Sequence, residues 1–345
     1  MNRLSSIAAG WPGAIRKIFS EPVERFSPTR LLLAILVGAF SCYISYHGLV
    51  RRNAGAADFQ LPLTAAKILL DGGNPYTDIE FRITYPYNFL FYYPLPAVIT
   101  AIPFTIFNSP YLAGSIFFGF SSAIMAYGLL ARDNWKLLPV FCSSAFFISA
   151  SVAQWTPLIF GATLLPALSF LLACKPNIGA AGFFYLPSVK KLLLILIALA
   201  VSFIIFPSWF GFWINNLRQS GSHIPPFLVL PLGPALLSSA FFWRKPAGRL
   251  LFVMAIVPVV PWFYDPLLLW LVPGTLMTSF AISGISWFAY LVWSENLFHL
   301  PVTSIFVNLI YIPVLIILFR ENWHELKKAW RERFNLISGQ LFHRL

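Results

Sequence analysis

A chain of 345 residues that is 58% hydrophobic and 10% charged, with a mean hydropathy of +0.74, cannot keep most of itself in water. That excludes a soluble globular enzyme. The net charge of +12 is gathered in the termini and a few short segments, which reads as positive-inside membrane topology beside anionic lipid and excludes nucleic acid as a partner.

In chain order, residues 1–30 form a basic segment with Arg3, Arg16, Lys17, Arg25 and Arg30, expected in the cytoplasm. From 31 to 319, apolar runs approach the roughly 20 residues that a crossing needs. The clearest lie at 31–49, 89–107, 112–130, 192–209 and 302–319. Less clean runs lie at 137–152, 157–173, 227–243, 250–264, 267–281 and 285–293, and 177–187 is short enough to be a half-span. They predict an all-α polytopic membrane protein of about 10–12 transmembrane helices with no separate soluble domain. Residues 320–345 form a second basic tail, with Arg320, Lys327, Lys328, Arg331, Arg333 and Arg344. Lys190-Lys191, Arg244-Lys245 and Arg249 mark inner loops. Both termini inside requires an even number of crossings, and the first loop, 50–87, then faces outward.

That loop holds four of the chain's 12 acidic residues: Asp58, Asp71, Asp78 and Glu80. Residues 59–70 mix Leu61, Ile68 and Leu69 with Gln60, Thr64 and Lys67. This predicts a short amphipathic helix on the outer membrane face, with Asp58 at or near its N-cap and Pro62 close to the first turn. Gly72-Gly73 stops it and Asn74-Pro75 turns the chain. Capping alone would account for Asp58, but the position follows Arg51-Arg52 at the mouth of the bundle. Asp71 suits a helix end; Asp78 and Glu80 suit a solvated loop. The three cysteines (Cys42, Cys142, Cys174) have no metal-like spacing and the five histidines no paired motif, so neither a metal site nor a cofactor is read.

Three stretches carry a family resemblance. Asp58 follows the first apolar run and leads into Ala65-Ala66, then Leu69-Leu70-Asp71-Gly72-Gly73-Asn74-Pro75-Tyr76 and Tyr85-Pro86. Ala153-Gln154 is followed by Lys175-Pro176-Asn177, and Pro261-Trp262-Phe263-Tyr264-Asp265-Pro266 comes later. Together, over roughly 31–280 by order and spacing, they resemble glycosyltransferase family 87. The departures are Ala-Gln where the family has Gly-Gln, Tyr85-Pro86-Tyr87 where it has Tyr-Pro-Pro, and a short chain. The resemblance implies a GT-C-like bundle in the bacterial cytoplasmic membrane with an extracytoplasmic active site. It implies transfer of mannose or another hexose from a polyprenyl-phosphate sugar donor to a lipid- or glycan-linked acceptor.

The family's nucleophile-activating aspartate corresponds to Asp58. Inverting sugar transfer needs a base for the acceptor hydroxyl, and a positioned carboxylate supplies about 10²–10⁴-fold. The departing lipid phosphate needs cations or N–H donors. Arg82, Lys67, Lys175 and Arg218 are the candidates by location, with Arg51 and Arg52 beside them. Lys67 would equally snorkel to headgroups. Lys175 meets the phosphate if its segment re-enters from outside and is a cytoplasmic anchor if it ends inside. Tyr76, Tyr85, Gln154, His223 and Asp265 form a second tier. Asp265 stands out because ionisable groups within apolar runs usually face a cavity or a partner. Two other readings stay open: a lipid-linked saccharide transporter or flippase, and a non-catalytic partner in envelope-glycan assembly.

Overall fold

The computed structural model describes residues 27–79, 90–219, 223–260, 262–325 and 327. Among them the chain is helical, and strand pairing is confined to one isolated bridge, Ile224 with Val259. Helix α1, Pro28–Arg52, starts on a proline in its first turn, where the missing N–H costs nothing, and stops where Asn53 turns left-handed at φ 51°. Its buried positions are Ala34, Gly38, Ser41, Ser45 and Leu49, a stripe at three- and four-residue spacing. Leu32, Leu36, Phe40 and Tyr43 face outward. Small residues inward and large apolar ones outward is the arrangement of a helix that meets lipid.

The stripe packs on a second long helix. The first loop itself carries the short helix α2, Gln60–Leu70, and after it comes α3, Leu95–Ala101, continued by a 3₁₀ turn to Ile106. Helix α4, Pro110–Ala131, runs antiparallel to α1. At one end Arg30 donates to the Leu130 carbonyl (2.7 Å) and pairs with Asp133; at the other, the Tyr111 hydroxyl donates to Asn53 (2.5 Å). A Cβ on Gly119 would stand 2.6 Å from Cys42 Cβ and 2.8 Å from the Gly38 carbonyl oxygen. Gly119→Val is therefore expected to push α1 and α4 apart and to destabilise by ~1–3 kcal/mol, seen as a lower melting temperature in detergent.

Most other apolar runs are broken by proline. The 137–152 run is a 3₁₀ segment containing Pro139, Trp135–Cys142, then α5, Ser144–Ser151. The 157–173 run is α6, Thr156–Leu164, followed by a 3₁₀ segment opening on Pro166. The 89–107 run keeps only twelve helical residues, Leu95–Ile106. The 177–187 segment forms the ten-residue helix α7, Pro176–Tyr185, about 15 Å long and unable to cross alone. Helices α8, Val189–Ile205, and α9, Trp209–Gln219, meet at a bend of 103°. Helix α10 is Pro246–Ile256.

One boundary is corrected. The runs at 267–281 and 285–293 do not form two helices; α11, Leu276–Ser294, bridges them. The true break is Pro273-Gly274, after which Thr275 caps the new helix reciprocally with Thr278, while Gly284 sits inside it with open space around. Helix α12 spans Val302–Glu325. Among the described residues, four helices can cross a membrane by length and composition (α1, α4, α11, α12), or five if α8 and α9 count as one span. This is an α-helical, membrane-embedded architecture. Several of the runs behind the expected 10–12 crossings are divided by proline into shorter helical pieces.

Cations gather at one end of the bundle. Arg30 reaches the end of α4, Arg132 bonds the Leu164 carbonyl, Lys191 donates to Thr163 O (2.6 Å), and Arg249 donates to Phe184 O and Tyr185 O. These are the last carbonyls of α4, α6 and α7, groups that lack intrahelical partners and attract positive charge. The opposite ends of α6 and α7 converge on Asp58.

Candidate active site

Asp58 sits in a single 3₁₀ turn, Ala57–Phe59, between α1 and α2. It does not cap α2: Phe59 holds the cap position and no side chain bonds there. Nor does α2 lie flat on a surface, since residues Leu61 to Ala66 are all buried against α3 and the following 3₁₀ turn. Freed from capping, the Asp58 carboxylate turns into a cavity of about 1100 Å³, slightly above the roughly 300–1,000 Å³ usual for small-molecule sites.

Two donors hold that carboxylate. Gln154 Nε2 donates to Asp58 Oδ2 at 2.5 Å, and the Tyr264 hydroxyl also bonds it. The backbone agrees, because the Asp58 N–H donates to the Val152 carbonyl (3.0 Å). Between Val152 and Gln154, Ala153 takes φ +47°, a left-handed conformation that costs a side-chain-bearing residue about 1–2 kcal/mol. Glycine would adopt it freely, so the Ala-Gln departure from Gly-Gln falls on a backbone position that favours glycine. Ala153→Gly is expected to raise the melting temperature in detergent by a few degrees, against the usual destabilising effect of glycine in helices.

Lys175, at the start of α7, extends the network. Its Nζ pairs with Asp265 Oδ1 at 2.6 Å and lies 3.3 Å from Gln154 Oε1, above the Tyr264 ring at 5.2 Å. The pair is deeply placed: 1% of the Asp265 side chain and 13% of the Lys175 side chain is exposed. Asp58 itself is open on its cavity side and enclosed elsewhere. That enclosure, by removing water, is the main reason its carboxyl is pushed up to about 6. Lys175 pulls it down, Asp265 pushes it up, and the Tyr264 and Gln154 bonds pull it down. His223, half-buried on the same wall, is held below its usual value by lost solvation, opposed by Asp265 and reinforced by Lys175.

The sequence candidates divide clearly. Asp58, Gln154, Lys175, His223 and Asp265 share the cavity wall. Lys175 thus stands on the Asp58 side, not at the far cationic end. Lys67 and Arg218 are exposed and off the wall. Tyr76 is behind it, buried, with its hydroxyl donating to the Tyr93 carbonyl (3.2 Å) and its ring against Phe91. Arg82 and Tyr85 lie outside the described residues. Asp78 accepts from Asn74 N and Thr77 Oγ1, as a turn former does. Arg52 is an exposed wall residue with no ion pair to a described residue. In the sequence Tyr264 stands out only as part of the 261–266 segment; its hydroxyl bond to Asp58 leaves no separate mark there.

A second cavity of about 380 Å³ adjoins the first, sharing Pro94, Pro176 and Trp213 with it. Its walls are almost wholly apolar, built from Leu172, Phe183, Leu199, Phe203 and Trp209 among others. The bend before α9 forms one side. Trp213 Nε1 and Asn216 Nδ2 donate to the carbonyls of Tyr92 and Phe91, tying α9 to the stretch ahead of α3. Compared with known proteins, the chain matches no family model, no curated protein and no solved structure.

Proposed function

We propose that the protein is an integral-membrane glycosyltransferase that moves a hexose from a polyprenyl-phosphate donor to a lipid- or glycan-linked acceptor on the extracytoplasmic side. The observation that carries the reading is a carboxylate held by two donors in a cavity whose wall gathers Asp58, Gln154, Lys175 and Asp265 and which adjoins a second, almost wholly apolar cavity. A lipid-linked sugar has those two halves. The resemblance of the Asp58, Gln154, Lys175 and Asp265 segments to glycosyltransferase family 87 supports the same assignment.

Asp58 accepts the proton of the acceptor hydroxyl as that oxygen attacks the anomeric carbon. The bond from the anomeric carbon to the donor phosphate oxygen breaks, the electron pair leaves with the lipid phosphate, and the configuration inverts. Gln154 and Tyr264 occupy part of the carboxylate's accepting capacity and leave lone pairs toward the cavity. Arg52, an exposed cation on the same wall, meets the departing phosphate in this reading. The start of α1 and the end of α12 then face the cytoplasm, at the end where arginines and lysines close the helices.

The bent pair α8 and α9 is one observation that suits a transporter, since broken helices line transporter sites. One assay separates the readings. Purified protein given a polyprenyl-phosphate hexose and membrane extract should release polyprenyl phosphate and label an acceptor. A flippase or scaffold releases none.

A further inference from the structure

Lys175 is the obvious cation for a donor phosphate, yet its Nζ is already committed. Asp265 takes one of its protons at 2.6 Å and Gln154 Oε1 is within reach of another. Gln154 Oε1 also accepts from the Trp155 N–H at 2.7 Å. A lysine ammonium and a backbone amide both donate only, so both demand the oxygen end of the side-chain amide. The nitrogen end must then face Asp58, where an N–H meets Oδ2 at 2.5 Å. The amide cannot flip without setting donor against donor twice.

We propose that Gln154, locked by the Lys175–Asp265 pair, is the positioning residue that aims the Asp58 carboxylate and keeps it ionised, and that Lys175 serves this lock and not the phosphate. The inference rests on Asp58 being the base of the function proposed above. Asp265 fixes Lys175, Lys175 fixes the Gln154 amide, and Gln154 presents its proton to the carboxylate. The ionisable groups around Asp58 are Lys175 at the start of α7, Tyr264 and Asp265 before and within the 3₁₀ turn 265–271, and Tyr93 ahead of α3. Among the described residues, Arg52 at the end of α1, Tyr92, Cys174 and His223 join them on the cavity wall. Of the two donors to the carboxylate, Gln154 is the one whose amide orientation is set by a hydrogen bond from the buried ion pair; Tyr264 meets Lys175 only through its ring face.

The test uses the full-length protein in detergent with dicyclohexylcarbodiimide, an apolar reagent that reacts with protonated carboxyls, and mass spectrometry of Asp58 across pH. In the wild type, labelling should fall with rising pH around a midpoint near 6. Gln154→Met removes the donor at similar size, and Gln154→Glu keeps the acceptor for Trp155 and Lys175 while placing a second carboxylate beside Asp58. Each should move the midpoint up by about one pH unit or more. In transfer assays each should lower kcat and shift the pH profile alkaline, with donor KM unchanged. Lys175→Met should behave like the Gln154 variants in both respects. Unmoved midpoints in both Gln154 variants, absence of Asp58 labelling in the wild type, or a raised donor KM for Lys175→Met with an unmoved midpoint would overturn the proposal. If midpoints move but the wild type transfers no sugar, the lock stands and the glycosyltransferase reading fails.

Discussion

Asp58→Asn should reduce sugar transfer by about 10²–10⁴-fold while protein abundance stays normal, because an amide cannot take the acceptor proton. The substitution is nearly isosteric, and Asp58 caps no helix, so little stability is at stake. The wild-type pH dependence follows from the same group. Its carboxyl is pushed up to about 6, and only the ionised form is a base. Activity should therefore rise with pH, with unit slope in log kcat/KM below about 6, and level off above about 7. A fully solvated aspartate, at about 3.9, would already be level by about pH 5. Initial rates across pH 4.5–8 check this, and a profile flat from pH 5 upward would remove Asp58 from the base's role.

The largest effect on stability is expected at the Lys175–Asp265 pair. Lys175→Met strands the Asp265 carboxylate, 1% exposed, without its counter-charge. Removing one partner of a buried pair costs about 3–5 kcal/mol, whereas replacing both by apolar residues is often neutral. Lys175→Met should accordingly lower the detergent melting temperature markedly, and Lys175→Met with Asp265→Leu should recover most of the loss. Neither should recover transfer. Unequal recovery of stability and activity separates the pair's structural contribution from its effect on Asp58.

How much of this was legible in the sequence depends on the range of the interaction. The membrane class and the helices α1, α4 and α12 follow from long apolar runs, where composition alone decides. Asp58 was legible because acidic residues are so scarce that a cluster of them has to be explained. Gln154 was visible only as part of a short resemblance, Lys175 also by its place near an apolar run, and Asp265 also as an ionisable group within one. Nothing local joins residues 96, 21 and 90 positions apart, so their meeting had to come from the convergence of α6 and α7. Lys67 and Arg218 were chosen by nearness along the chain, and helix geometry undid both. Leu217 lines the cavity while Arg218, turned about 100° further, points away. Lys67 follows the buried stretch 61–66 and emerges at the surface. Asp58 stands next to the N-cap, as expected, yet makes no capping bond, because the chain places a 3₁₀ turn ahead of α2 and the donors at Gln154 and Tyr264 hold its carboxylate.

The central claim is that the Asp58 cavity and its apolar annex receive the two halves of a lipid-linked sugar. A structure of the full chain with a non-transferable polyprenyl-phosphonate hexose tests it most directly. The account expects the isoprenoid chain between Leu199, Phe203 and Trp209, the phosphonate near Arg52, and the anomeric carbon facing Asp58 across room for one hydroxyl. Density for the sugar at the cationic end beside Lys191 and Arg249, or an anomeric carbon further than about 6 Å from the Asp58 carboxylate, would contradict it.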